Sequence, residues 1–399
     1  MTYNYLQMTL KPHRDETILR GHPWIFSGGL RLPIPVLATG TIVDVFDIEH
    51  HFVARGYYNP QTDIAIRILT RQIDETIDLD FFRRRIRDAL AIREPLTQDT
   101  HTTAYRLVNA EGDQLPGAIV DRYGDVLVIQ ISTAGMEQLT PLLIEALHTE
   151  IPLQGILLRN DVTVRTREGM ERERPVVAWG DVPPIVEIIE NGMRFQIDVY
   201  TGQKTGFFLD QRDKRRTLQR YAKGKTVLNT FSYTGGFGIA ALQAGAVHIT
   251  NVDQSGPVIA QAREQMTLNG FDPDAHEFGV GDAFAMLERW AAEDRRFDIV
   301  ILDPPAFAKN INSRTQAMRA YRRLNMLGMQ VLQPGGLLVT CSCSGPITLE
   351  EFRIIISESG QRTGRVVRTA ESFEHGLDHP VLLAMPEARY LKVLFCRVS

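Results

Sequence analysis

Short apolar runs alternate with turn residues along the first 75 positions of the chain. GTIVDVFD, HFVARGYYN and DIAIRILT are rich in β-branched and aromatic residues, and Gly40, Gly56 and the Asn59-Pro60 pair punctuate them. With the preceding LKPHRDETILRGHPWIFSGGL they predict a small all-β module, a compact barrel, over residues 1–75. The period then changes. Phe82, Ile86 and Leu90 recur every fourth residue and predict a basic helix from Leu79 to Arg93. YRLVNAEGDQLPGAIVDRYGDVLVIQI reads as strands with tight turns at Glu111-Gly112 and Tyr123-Gly124. A helix from about Met136 to Thr149 and the strand GILLRN complete an α+β middle domain. The charged, then proline-bearing stretch from Glu168 to Pro184 reads as a linker, which closes this second region at 76–184.

Over residues 185–399 the pattern becomes an alternation of strand and helix. TVLNTF, HITNVD, FDIVILD and GLLVTC are short apolar runs separated by helical patterns. The helix expected from Pro257 to Asn269 starts on proline, places Ile259, Ala262 and Met266 on one face and stops before Gly270. Repeated strand–helix–strand units predict an α/β domain with a parallel sheet covered on both faces. Ligands of such sheets bind beyond the carboxyl ends of the strands. A series of polar residues closes the predicted strands there: Asn229, Asp253, Asp282, Asp303, and the run Thr340-Cys341-Ser342-Cys343. One acid after a strand is often only a helix cap. The whole ordered series is a site.

The composition, 44% hydrophobic and 23% charged, provides for sizeable cores and argues against a disordered chain. With 44 basic and 48 acidic residues the net charge is −4, so any nucleic-acid contact must come from local patches. Three cysteines cannot build a disulfide framework, which points to a reducing compartment. The N-terminal segment carries charges where a signal peptide needs its apolar stretch, and no apolar run approaches the ~20 residues that span a bilayer. A cytoplasmic protein without a membrane partner is therefore expected.

Thr234-Gly235-Gly236-Phe237-Gly238 lacks the GxGxxG spacing of a dinucleotide site. Glycine still lets backbone approach a ligand closely. Asp253 lies 18 residues after Gly235, where an acid can bind both ribose hydroxyls, and Asp282 can accept from an adenine amino group. That set suits an adenosine ligand without phosphates, S-adenosylmethionine. In DPPAF, Asp303-Pro304-Pro305 forms a stiff loop and Phe307 can offer its face to a base, a stacking contact of ~1–3 kcal/mol.

Cys341 and Cys343 are two apart, on one side of a strand, and read either as small residues ending it or as a nucleophilic thiol. A four-thiolate zinc site is excluded by the count, and no metal is expected. Cys396, in YLKVLFCRV, reads as core. Lys309, Arg314, Arg319, Arg322 and Arg323 fall within 15 residues that contain no acid, next to the presumed base pocket, and suggest phosphate contacts. A second basic helix, with Arg212, Lys214, Arg215 and Arg216, reads as a solvated face.

HPWIFSGGL (22–30), RLVNAEGDQLPGAIVDRYGD (106–125), TGQKTGFFLDQRDKR (201–215), FSYTGGFG (231–238), DPPAFAK (303–309), SCSG (342–345) and ARYLKV (388–393) together carry a resemblance along nearly the whole chain. The chain resembles the bacterial class I, S-adenosylmethionine-dependent rRNA large subunit methyltransferases that modify cytosine C5, the family named methyltransferase I. The resemblance implies a PUA-like RNA-binding barrel, a small α+β middle domain and a Rossmann-like methyltransferase domain, acting on 23S rRNA or a ribosomal assembly intermediate. It implies a cofactor set of Lys204, Asp210, Gln211, Phe231, Tyr233, Thr234, Gly235, Asp253, Asp282, Ala283 and Asp303. Cys343 matches the family's nucleophile, with Asp303 holding the base. The wider class of RNA cytosine-C5 methyltransferases has a second cysteine in the DPP-equivalent loop, and this chain has none there. Cys341 and a water held by Asp303 are therefore both candidates to take the C5 proton. The rival functions are methyl transfer to an exocyclic base nitrogen without a cysteine, and a non-catalytic RNA-binding or assembly factor. Which cytosine is modified and whether the chain forms a homodimer stay open at this level.

Overall fold

The computed structural model describes residues 5–33 and 36–399. The chain divides into two compact units: Met1–Ile189 with Gln196–Leu209 and Leu377–Pro386, and Glu190–Phe195 with Asp210–Gly376 and Glu387–Ser399.

The first unit holds two five-stranded sheets. One runs in the order Leu6–Thr9, Ile42–Phe46, Phe52–Tyr58, Ile64–Thr70, Trp24–Phe26. The other runs Val176–Gly180, Gly155–Leu158, Val126–Ile131, Ala118–Tyr123, Ala104–Asn109, with helices Leu79–Ile92 and Ala134–Glu150 packed together. Asp78 caps the first of these helices by accepting the Phe81 N–H at 2.9 Å.

The first sheet shares a core with the second. Tyr57 is buried in one core with Phe81, Phe82 and Leu107, and its hydroxyl donates to the Pro116 carbonyl at 3.0 Å. Glu168, also buried, accepts from Arg67 at 2.6 Å and Asn59 at 2.9 Å. The expected linker contains an edge strand, Val176–Gly180, antiparallel to Gly155–Leu158. Its outward Trp179 stacks on His148 with ring centroids 5.3 Å apart, a contact no local pattern announces.

Leu377–Pro386 belongs to this first unit, although it lies deep within the region expected to be one continuous domain. Buried Asp378 accepts the Arg106 N–H at 3.0 Å, and its carbonyl accepts from Arg93 at 2.9 Å. Pro380 packs so close over Gly112 that a Cβ there would collide with its carbonyl.

The second unit is built on a seven-stranded sheet. Its strands are β1 Thr226–Thr230, β2 His248–Asp253, β3 Glu277–Val280, β4 Phe297–Leu302, β5 Leu332–Ser342, β6 Val367–Phe373 and β7 Lys392–Val398. The spatial order is β3-β2-β1-β4-β5-β7-β6, with only β7 antiparallel to its neighbours. Six helices cover it: α1 Arg212–Ala222, α2 Gly236–Gln243, α3 Gly256–Leu268, α4 Ala283–Ala292, α5 Arg314–Gln330 and α6 Leu349–Arg362. β1 and β4 are almost wholly buried, as central parallel strands covered on both faces must be. Strand order reverses between β1 and β4, so their carboxyl ends flank the crevice where open α/β sheets bind ligands. Among the described residues no helix is long and apolar enough to cross a membrane.

Candidate active site at the carboxyl ends of the strands

The residues expected to close the strands fall on one sheet. Asp253 ends β2, Asp303 and Cys343 directly follow β4 and β5, and Asp282 follows β3 after Gly281. Asn229 and Cys341 lie inside β1 and β5. The loop after β1 is held in an unusual form. Phe231, Tyr233 and Gly235 all have positive φ, at 54°, 48° and 81°. Left-handed backbone at two aromatic residues persists only where surrounding contacts hold it. Asp253, ending β2, holds Tyr233: Oδ2 accepts its N–H at 3.1 Å, while Oδ1 accepts the Ser255 N–H at 3.0 Å. Thr234 is buried beside Gly235, and a Cβ on Gly235 would meet Ala262 at 3.3 Å. The loop thus leads with bare backbone into the N-terminus of α2.

Asp282, just after β3, is exposed and caps α4. It accepts the Ala285 N–H at 3.0 Å and the Gln254 amide at 3.1 Å, while Ala283 behind it is buried. Asp303, directly after β4, is half-buried. Its two oxygens accept from the Gln211 amide nitrogen at 3.0 and 3.1 Å. Gln211 is itself 3% exposed, and its Oε1 has no hydrogen-bond partner among the described residues. A buried amide oxygen without a donor costs free energy, so it marks a place where a ligand donor is wanted. The turn that carries it is fixed from below. Lys214 donates to the Asp210 carbonyl at 2.8 Å and Tyr390 to Asp210 Oδ2 at 2.7 Å. Lys204 falls in the first unit, in the loop after the strand Met193–Asp198, with its ammonium 4.7 Å from the Phe208 ring centroid.

The two cysteines separate sharply. Cys341 lies within β5 opposite Val393, is 1% exposed and belongs to the apolar core. Burial, reinforced by the nearby Asp303 carboxylate, pushes its thiol well above the ordinary value. Cys343 lies just past the strand and is half-buried, its sulfur donating to the Pro304 carbonyl at 3.7 Å. The next residue clamps the two loops together. Ser344 Oγ accepts the Ala308 N–H at 3.0 Å and bonds the Tyr321 hydroxyl at 3.0 Å. Cys396 is core, its thiol raised to about 12 by burial.

The basic residues differ most from expectation. Arg212, Lys214 and Arg215 on α1 are buried rather than solvated, and Arg215 forks onto buried Glu190 at 2.5 and 2.7 Å. In the acid-free run, acids from other helices neutralise three side chains. Arg314 pairs with Glu351, Arg322 with Glu358 and Arg323 with Glu288. Lys309 and Arg319 are exposed, and no ion pair engages them among the described residues. Phe307 is half-buried between Phe284 and Tyr321, its ring 4.7 Å from that of Tyr321.

Sequence reasoning singled out none of Ser344, Tyr321, Tyr390 and Lys392, and it read the buried Lys214 as solvated. Only Lys392 left a signal, a single charge inside the apolar run YLKVLF.

A seven-stranded sheet of this order, with a bare-backbone loop after β1 and an acid after β2, defines a class I methyltransferase fold. Residues 170–394 match the S-adenosylmethionine-dependent methyltransferase family, and residues 8–71 match a PUA-like domain. The chain belongs to the ribosomal RNA large subunit methyltransferase I family. It is 40% identical to that enzyme of Erwinia tasmaniensis over 393 residues, covering 98% of this chain and 99% of the relative. The enzyme of Aliivibrio fischeri is 42% identical over 385 residues, 96% of this chain and 97% of the relative. Among solved structures, a protein assigned as a methyltransferase and complexed with SAH superposes with a TM-score of 0.85 at 24% identity, covering 98% of this chain and 100% of that one. One from Streptococcus mutans, assigned as SAM-dependent, gives 0.84 at 23%, with the same coverage. The protein is a SAM-dependent rRNA methyltransferase with a PUA-like domain, and its substrate is RNA.

Proposed function

We propose that this enzyme methylates C5 of a cytosine in 23S rRNA through a covalent bond between Cys343 Sγ and C6 of the base. The observation that carries the reading is the contrast between the two thiols. Cys343 is half-buried at the carboxyl end of β5, against the loop that bears Asp303, whereas Cys341 is sealed in the core as a neutral thiol.

Cytosine C5 is a poor nucleophile. Addition of the Cys343 thiolate to C6 gives C5 enamine character, which divides one difficult step into two easier ones. When bound, S-adenosylmethionine supplies an electrophilic methyl group to that carbon. The residues assigned to hold it are Asp210, Gln211, Phe231, Tyr233, Thr234, Gly235, Asp253, Asp282, Ala283 and Asp303. The Oε1 of Gln211, without a partner among the described residues, and the glycine backbone of the β1 loop fit such a ligand. Asp303, oriented by Gln211, hydrogen-bonds the base edge and stabilises the adduct. The C5 proton passes to a water held by Asp303, the C6–S bond breaks, the double bond returns and the thiolate is regenerated. A buried thiol held neutral is no base, which removes Cys341 from that step.

For RNA, Lys309 and Arg319 are the assigned phosphate contacts in this unit. Arg314, Arg322 and Arg323 are already neutralised by acidic partners, and Phe307 packs against Phe284 and Tyr321. The test is methyl transfer by single variants. Cys343→Ala abolishes it while cofactor binding survives, and Cys341→Ala retains activity. A fully active Cys343→Ala enzyme would favour transfer to a base nitrogen.

A further inference from the structure

Lys392 has no part in the chemistry above, yet it sits beside it. It occupies β7 in register with Ser342 of β5, flanked by the buried Leu391 and Val393, and is 1% exposed. Its Nζ donates to the Ser344 carbonyl at 2.6 Å and to the Tyr390 carbonyl at 2.8 Å. Among the described residues no carboxylate lies within ion-pair distance of it. An ammonium buried on two carbonyls alone is costly, and an apolar side chain would fill the same space at less expense. Burial accordingly draws its pKa down to about 8, so the amine still carries its proton at neutral pH. The strongest charged neighbour opposing that shift is Cys343, ahead of Glu374.

We propose that Lys392 is a positioning residue for Cys343, holding the Cys343–Ser344 turn through the Ser344 carbonyl and supplying the counter-charge that favours the thiolate. The proposal rests on the reading of Cys343 as the nucleophile. The other groups around that sulfur do not replace the lysine. The Pro304 carbonyl accepts from the neutral thiol and so opposes ionisation. The Tyr321 phenol is held neutral, raised to about 12 chiefly by burial. Asp303 is a like charge for the neighbouring Cys341 thiol, and Glu374 favours the charged ammonium. Among the described residues, Lys392 is the buried cation that the Ser344 carbonyl ties to the Cys343–Ser344 turn, whereas Lys214 acts on Cys341.

The test uses the full chain without RNA or cofactor. Iodoacetamide alkylation of Cys343 is followed against pH, with the site identified by fragmentation of the peptide that holds both Cys341 and Cys343. Lys392→Gln keeps N–H donors for the two carbonyls but removes the charge, and Lys392→Arg keeps the charge. The glutamine variant is expected to raise the pH midpoint of alkylation by about one unit and slow the reaction at pH 7 about tenfold, as loss of a close opposite charge implies. Its kcat should fall with KM for RNA unchanged, and the arginine variant should restore both readouts. A glutamine variant that melts normally and alkylates with the unchanged pH profile would overturn the proposal and leave Lys392 a structural pin. RNA carrying 5-fluorocytidine separates the two claims. No adduct on Cys343 of the unaltered enzyme defeats the reading of the nucleophile. A flat glutamine profile alongside an intact adduct defeats the lysine alone.

Discussion

Replacing Asp253 by alanine removes the group that shapes the β1 loop as well as the acid assigned above to the ribose. Its carboxylate accepts two backbone N–H groups, from Tyr233 at 3.1 Å and Ser255 at 3.0 Å. Hydrogen bonds to a charged group contribute ~1.5–3 kcal/mol each. The first helps hold Tyr233 at φ 48°, a conformation that costs of order 1–3 kcal/mol. Loss of the preformed loop and of the ribose acceptor together should weaken S-adenosylmethionine binding by at least about 3 kcal/mol, roughly a hundredfold in Kd. Asp282→Ala is the comparison. That residue is exposed and caps α4 through the Ala285 N–H at 3.0 Å, so its loss costs ~1 kcal/mol in helix stability. Calorimetric titration with S-adenosylmethionine, paired with thermal melts, measures both. A folded Asp253→Ala enzyme with unchanged affinity would refute the assignment of the β2 end to the ribose.

Two further outcomes follow from the charges. Arg87 and Arg83 hold the Glu150 carboxyl at about 2, below its ordinary value of 4.5. Its contribution to stability is therefore complete above about pH 4.5 and is lost as pH falls toward 2, so Glu150→Gln should flatten the acid limb of a denaturation profile over that window. Lys309→Gln and Arg319→Gln should each weaken RNA binding and lower the slope of log K against log salt by about one, read by filter binding across salt concentrations. Unchanged slopes would move the phosphate contacts elsewhere.

The carboxyl-end series was readable because central parallel strands are continuous apolar runs, and the first polar residue after each falls on the same edge. Asp253 and Asp303 were located in that way, whereas the strand pattern left Cys341 and Cys343 both open and the resemblance pointed to Cys343. The fate of the basic residues was unreadable because their partners are remote in sequence. Glu190, which buries Arg215, lies 25 residues earlier, and Glu288 and Glu358 reach Arg323 and Arg322 from other helices. A local stretch without acids says nothing about acids brought in by folding. The return of Leu377–Pro386 to the first unit was hidden for the same reason, since it depends on Arg93, Arg106 and Asn109, more than 250 residues away. The shared core around Tyr57 likewise rules out deletion of residues 1–75 as a clean probe of the PUA-like domain, because it would strip a buried side chain from the middle sheet.

The central claim is that Cys343 Sγ bonds to C6 of a cytosine. Its most direct test is incubation of the enzyme and S-adenosylmethionine with target RNA carrying 5-fluorocytidine, where fluorine cannot leave as the C5 proton does. Peptide mapping of the trapped complex then identifies the attached residue. The account predicts one stable adduct, on Cys343, absent from Cys343→Ala and present in Cys341→Ala. An adduct on Cys341, or full methyl transfer to unmodified RNA by an enzyme lacking both cysteines, would contradict it.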